Sequence, residues 1–207
     1  MKKLFVVLMA VSLSVGLGGQ AHAAKSDAYA KKWGTFAQMT FTGTGDDVVT
    51  FPKALKAGFV SSSYTGDSNF IIWSLDSSQS EAELLANTVG DYQGARSFGL
   101  GYMGKKASGL EITGEGNWSI TVKPFSAAPK LPSAGAGDGV YKVSLSRNPI
   151  WKLGYTGNSN FIVWQNCTNG KTALVANTIS DYTGKKVGVS GSCIIDVTGE
   201  GTWTIKH

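Results

Sequence analysis

The sequence predicts an all-β protein made of two β-sandwich domains in tandem, on three observations. First, three blocks occur twice in the same order. Residues 65–73 read TGDSNFIIW and 156–164 read TGNSNFIVW, with seven of nine positions identical. Residues 84–94 (LLANTVGDYQG) and 174–184 (LVANTISDYTG) share seven of eleven, and 112–120 (ITGEGNWSI) and 197–205 (VTGEGTWTI) share six of nine. An offset of about 85–91 residues is too long for a solenoid repeat and fits a whole small domain. Second, the apolar runs are short, β-branched or aromatic, and set among 27 glycines. Third, the same turn chemistry (Thr-Gly-Asp/Asn-Ser-Asn, then Gly-Glu-Gly) separates those runs in both copies. Short strands at near-regular spacing with such turns indicate a jelly-roll-like sandwich rather than a βαβ sheet.

Taken in order, residues 1–23 read as a secretory signal peptide. Lys2 and Lys3 precede an apolar run at 4–17, and Ala21-His22-Ala23 supplies a small-x-small cleavage site. The run is shorter than the roughly 20 residues a membrane-spanning helix needs, so no transmembrane segment is expected. No cysteine follows the cleavage site to carry a lipid. Secretion or delivery to a periplasm is the expected location. Residues 24–32 are small and polar and read as a flexible leader. Residues 33–124 form the first repeat, with strands expected at 48–51, 58–64, 70–75, 110–113 and 118–122. Pro124, Pro129 and Pro132 among Ser and Ala mark 125–134 as the linker. Residues 135–207 form the second repeat, with strands expected at 140–145, 150–155, 161–165, 193–198 and 203–206. Residues 81–87 have the composition of a short helix, but their counterparts at 171–177 include Thr172 and Val175, so both read as strand or loop. Alternation puts Phe70 and Ile72 on one strand face and Ile71 and Trp73 on the other. Both faces are apolar, as in a central strand covered on each side. Tyr64/Tyr155 and Trp118/Trp203 are expected in the cores.

The two cysteines, Cys167 and Cys193, both lie in the second repeat, where the first has Asp76 and Ser108. In an exported chain such a pair is expected to form a disulfide. Closing a loop of about 26 residues stabilises a fold by roughly 3 kcal/mol on the chain-entropy account.

The pattern Gly-[Asp/Asn]-Ser-Asn-Phe-x-[Ile/Val]-Trp (66–73, 157–164), followed by a Gly-rich Tyr loop and Gly-x-Trp-x-Ile (116–120, 201–205), resembles a tandem β-sandwich repeat of uncharacterised bacterial exported proteins. More loosely, it is similar to the pre-peptidase C-terminal, jelly-roll type of domain. That resemblance implies a unit that accompanies a secreted hydrolase and assists targeting or substrate contact.

Composition bears on function mainly by exclusion. The 19 basic and 14 acidic residues give a net charge of +5, but the lysine pairs at 31–32, 105–106 and 185–186 are dispersed. Nucleic-acid binding usually shows a clustered basic face, and none is expected here. Catalysis near neutral pH most often recruits histidine. Here His22 falls in the signal peptide and His207 is the last residue, so a Ser-His-Asp or Cys-His arrangement is excluded and no enzyme is expected. A carboxylate pair would have to come from Asp46, Asp47, Asp67, Asp91, Glu115 and their counterparts, whose turn positions suit backbone capping. Calcium on Asp46, Asp47 and Asp67 is the competing metal reading. The exchanges Asp47/Gly139 and Asp67/Asn158 suit turns as well as ligands, so no metal or cofactor is expected.

Glycan sites combine an aromatic face with amide and carboxylate groups, because a sugar ring offers apolar C–H faces and a fence of hydroxyls. Asn87, Asp91 and Tyr92, with Asn177, Asp181 and Tyr182, have that chemistry in both copies. They are the candidate ligand-binding residues, against the alternative that the tyrosines plug the sandwich end and the Asn caps a turn. The expected function is a non-catalytic exported binding or envelope-associated module for a cell-wall or host glycan. The alternative is a protein-interaction factor, an inhibitor or adhesin component acting on an envelope protein. A secreted hydrolase ranks third.

Overall fold

The computed structural model describes residues 27–101 and 105–207. The signal peptide expected at 1–23 lies outside them. The first repeat contains β1 (Met39–Thr44), β2 (Asp47–Leu55), β3 (Gly58–Thr65), β4 (Asn69–Leu75), β5 (Glu81–Val89), β6 (Tyr92–Phe98), β7 (Ala107–Thr113) and β8 (Asn117–Lys123). The second contains β9 (Ala134–Ala136), β10 (Gly139–Leu145), β11 (Ile150–Thr156), β12 (Asn160–Cys167), β13 (Thr172–Ile179), β14 (Tyr182–Val187), β15 (Gly191–Thr198) and β16 (Thr202–Lys206). Each repeat is two antiparallel four-stranded sheets, in the orders β1-β8-β3-β6 and β2-β7-β4-β5, then β9-β16-β11-β14 and β10-β15-β12-β13. The second pair reproduces the first strand for strand, giving eight-stranded jelly rolls. Residues 81–87 and 171–177 are strand, in β5 and β13.

The cores lie between facing sheets. Phe70, Ile72, Leu110, Ile112, Ile120 and Val122 fill the first, and Trp151, Phe161, Val163, Ile195, Val197 and Ile205 the second. A common frame recurs. Tyr64 stacks on Phe70 at 4.5 Å and Tyr155 on Phe161 at 4.7 Å. The Trp118 indole N–H donates to the Gly45 carbonyl at 2.9 Å and Trp203 to Gly137 at 3.0 Å. Asp46 and Asp138 each accept from the backbone N–H of the matching turn glycine, Gly114 or Gly199, both at 2.9 Å.

One expectation is corrected at β4 and β12. Phe70 and Ile72, and Phe161 and Val163, are buried, but Ile71, Trp73 and Ile162 are only half-buried and Trp164 is 43 % exposed. The strands are covered on one face, because each sandwich has two layers and its outer faces meet solvent or another domain.

Two further expectations change at the ends of the first repeat. Within the segment read as a flexible leader, Ala28–Trp33 is a helix, α1, capped by the Asp27 side chain, which accepts from the Tyr29 N–H at 2.8 Å. The linker is not slack either. Phe125–Ala127 is a 3-10 turn with Phe125 buried. Lys130 then bridges Lys142 of β10 in parallel, with the Leu131 N–H donating to the Lys142 carbonyl at 3.1 Å. Trp33, Phe59, Phe125, Ala128, Val140 and Ile194 form a third apolar cluster, which joins the repeats. The outer face of β3 and the edge strand β6 thus lie against the outer face of β10 and β15.

Candidate functional site

The structure separates the sequence-predicted ligand residues. Asp91 Oδ1 accepts from the Gly66 N–H at 3.1 Å, and Asp181 Oδ1 from the Gly157 N–H at 3.0 Å. Each carboxylate therefore braces the Thr-Gly-Asp/Asn-Ser-Asn turn of its own repeat, a usual task for a loop Asp. Tyr92 is half-buried beside Phe70 (5.9 Å between ring centroids), and Tyr182 sits similarly beside Phe161 at 6.4 Å. Both rings close the edge of a core. Asn87 and Asn177 are exposed, on the opposite side of the sandwich wall from the tyrosines, cross-strand from Ile71 and Ile162.

Tyr92 differs from Tyr182 in its hydroxyl, which donates to Asp138 Oδ2 at 2.9 Å across the repeat boundary. Burial, then the Asp138 charge, push its pKa far up, so it remains a neutral donor. Around it lies a compact charged cluster. Arg96 reaches from β6 to Asp138 (3.9 Å) and Asp196 (3.8 Å). Both the Ser97 hydroxyl and its backbone N–H donate to Asp196 Oδ2. Burial raises the Asp196 pKa despite the nearby Arg96 guanidinium. Burial also raises Glu83, which accepts from the Gly99 N–H at 2.9 Å. Tyr29 of α1 donates to the Val143 carbonyl at 3.0 Å, and burial, then the charge of Asp27, push its pKa up to about 12. Glu83 braces the first repeat, while the other groups link the two repeats.

Asn87 and Asn177 instead mark a feature that the sequence reading did not isolate. On the outer faces of β4–β5 and β12–β13 the cross-strand pairs repeat: Ile71 with Asn87 and Trp73 with Leu84, then Ile162 with Asn177 and Trp164 with Leu174. Two residues beyond each Asn, Val89 and Ile179 are 71 % and 69 % exposed. Each repeat thus carries an outward-facing strip of Trp, three aliphatic side chains and an amide in the same register, differing only in Val89 against Ile179. No core requires it. The duplicated Phe-x-x-Trp and Asn-Thr signatures contained the signal, but alternation alone does not tell a covered second face from an exposed one.

A groove of about 540 Å³ between the repeats is lined by Ser61, Ser63, Gln93, Thr121, Lys123 and Tyr141, among others. A second, of about 690 Å³, is bordered by Tyr29, Leu131, Lys142, Ile205 and His207. Among the described residues, no group of three or more His, Cys, Asp or Glu side chains is placed to hold a metal ion. No helix among them is long and apolar enough to cross a membrane. The carboxylates considered for catalysis are dispersed: Asp46, Asp91 and Asp181 hold turns, and Glu115 and Glu200 sit on exposed turns.

No protein-family profile and no curated protein matches the chain. Among solved structures, it is similar to the regulatory subunit of a cAMP-independent protein kinase A from Trypanosoma brucei. Identity is 7 %, covering 82 % of this chain and 74 % of that one, with a TM-score of 0.23. The corresponding subunit from Trypanosoma cruzi bound to guanosine gives 9 % identity over 78 % and 72 % of the two chains, also with a TM-score of 0.23. Likenesses this low establish neither fold nor function for this chain.

Proposed function

We propose that this protein is a non-catalytic, exported binding module that holds a repeating glycan polymer on the two outer-face strips. The single observation that carries the reading is the twin strip itself. Trp73, Ile71, Leu84 and Asn87 recur as Trp164, Ile162, Leu174 and Asn177, at positions that face outward in both repeats. An indole offers a flat apolar surface for the C–H face of a sugar, and the neighbouring amide donates to and accepts from hydroxyls. Two weak, shallow sites on one rigid chain suit a polymer, since engaging the first raises the effective concentration for the second. The disulfide, favoured in oxidising compartments, supports export.

The protein-interaction alternative keeps one specific support, the aliphatic ends of the strips at Val89 and Ile179, which suit a protein surface better than a sugar. Retention on insoluble polysaccharide separates the two readings. The double variant Trp73→Ala, Trp164→Ala is expected to lose retention while melting as the parent does. Each single variant is expected to keep a weaker, monovalent interaction. Retention unchanged in the double variant removes the strips as the site.

A further inference from the structure

The contact between the repeats is heterologous. It uses the β3–β6 face of the first and the β10–β15 face of the second, which are different surfaces of the same fold. Because the fold is duplicated, each repeat also carries the other partner surface, and that one is uncovered among the described residues. The first repeat leaves its β2–β7 face open, and the second leaves its β11–β14 face open. Registers fix the correspondence. Phe59 opposite Ser97 becomes Ile150 opposite Val187, and Val140 opposite Asp196 becomes Val48 opposite Glu111.

The residues on the two free faces match what such a contact requires. Val48, Ile150 and Val187 are 53 %, 59 % and 64 % exposed. Together with Leu84, Val89, Trp164 and Ile179 of the strips, they account for all the large exposed apolar side chains among the described residues. The charges are also complementary. Within the chain, Arg96 faces Asp138 and Asp196. On the free faces Lys186 takes the place of Arg96, while Asp46 and Glu111 take the places of Asp138 and Asp196. The face of the second repeat gains Lys152 and Lys185 where the first has Ser61 and Ala95, and the face of the first gains Asp47 where the second has Gly139. The gained Lys185 meets a retained acid: the Ala95 N–H donates to the Asp138 carbonyl at 3.2 Å, and Lys185 and Asp46 hold those two places on the free faces.

We propose that the chain associates head to tail with further copies of itself, the β11–β14 face of one docking on the β2–β7 face of the next. A heterologous contact of this kind is open-ended and extends into a row or closes into a ring. The contact within the chain is wedged by the apolar Trp33 and Phe125, whereas the free β11–β14 face presents Lys152, Lys185 and Lys186. The contact between chains is therefore weaker and depends on concentration and salt.

Sedimentation velocity on the purified protein, as the cell delivers it, tests the proposal at concentrations up to about 1 mM, where a weak interface is populated. The parent is expected to gain mass with concentration and to lose that gain in high salt. Val48→Lys and Ile150→Lys, both at exposed positions, are each expected to sediment as a single chain with unchanged melting. Mixed in equal amounts they are expected to form a dimer and nothing larger, because each retains the one face the other lacks. Lys186→Glu is expected to weaken association about tenfold, and mixing it with Glu111→Lys to recover it. A parent that stays a single chain throughout overturns the proposal. So do variants that associate as the parent does, or a mixture no heavier than its parts.

Discussion

The two repeats close the same corner of the same fold by different chemistry. Where the chain leaves β12, Cys167 lies directly opposite Cys193 of β15 and is bonded to it. In the first repeat the matching positions are Asp76 and Ser108. The Ser108 hydroxyl donates to the Asp76 and Leu75 carbonyls, and the Asp76 carboxylate accepts from Ser78 N–H (2.8 Å), Ser80 N–H (3.2 Å) and Lys105 Nζ (2.8 Å). The turn itself is unchanged. Asp76 N–H to Ser80 O and Cys167 N–H to Lys171 O are both 2.9 Å, and Gln79 holds the left-handed conformation that Gly170 holds in the other copy.

The cores show the same exchange of parts. Val60 and Phe98 of the first repeat become Trp151 and Gly188 of the second, and Ser74 becomes Gln165. A Cβ on Gly188 would lie 2.3 Å from the Trp151 indole nitrogen, so the indole occupies the space that Phe98 fills in the first copy. Gln165 satisfies that buried indole N–H at 3.2 Å and the Val189 N–H at 3.0 Å. Packing at native density is thus met by compensating volume and by a fully partnered polar group. The retained residues are those that shape turns, the core aromatics Tyr64/Tyr155, Phe70/Phe161 and Trp118/Trp203, and the outward-facing strips.

The largest separation between the repeats is expected from their closures. Cys167→Ser with Cys193→Ser should lower the stability of the second repeat by roughly 3 kcal/mol, read in denaturant melts with and without reductant. Asp76→Ala should destabilise the first repeat by less, because the Ser108 bonds and the turn remain. Equal losses would mean that the two closures are energetically equivalent.

A smaller effect distinguishes the paired tyrosines. Tyr92→Phe removes a hydroxyl bonded to a carboxylate at the repeat boundary and should cost about 1–2 kcal/mol. Tyr182→Phe should be near neutral, since among the described residues no carboxylate faces Tyr182. Differential scanning calorimetry on the two variants checks the difference.

The smallest expected effect is in pH dependence. Asp196 and Glu83 have raised pKa values in the folded protein, chiefly through burial. The native state therefore binds more protons than the unfolded chain between the usual carboxylate value, about 4, and those raised values. Stability from these groups rises as pH falls through that window. Asp76 behaves oppositely. Its bond to Lys105 and two backbone N–H groups lower its pKa, so its contribution is full above about pH 4 and is lost as pH falls further. Mild acid should tighten the boundary between repeats before stronger acid loosens the first repeat. Asp196→Asn should weaken the first trend, and Asp196→Asn with Glu83→Gln should abolish it, each leaving the second.

The tandem sandwich plan and the cysteine bridge were legible in the sequence because they rest on local turn chemistry, on core aromatics such as Phe70 and Trp203, and on a cysteine pair unique to one copy. The candidate loop was legible only as chemistry. Asp91 and Tyr92 are adjacent in sequence, yet one braces a turn and the other seals a core edge, while Asn87 faces the other way. Tyr92 also gained a partner, Asp138, 46 residues away and in the other repeat, which local reading does not reach. The docking of α1 and Phe125 was hidden for the same reason. The strips were misread as a covered strand because Ile71 and Trp73 are apolar whichever way they face.

The claim that the strips are the binding surfaces is tested most directly by the indole N–H signals of the six tryptophans in a nitrogen-15 correlation spectrum, as a polysaccharide fragment that the protein retains is titrated in. Trp73 and Trp164 are expected to shift together along one binding curve, while Trp33, Trp118, Trp151 and Trp203, all buried, stay in place. Shifts at the buried indoles or the Tyr92 and Tyr182 loops, with Trp73 and Trp164 unmoved, would contradict the account.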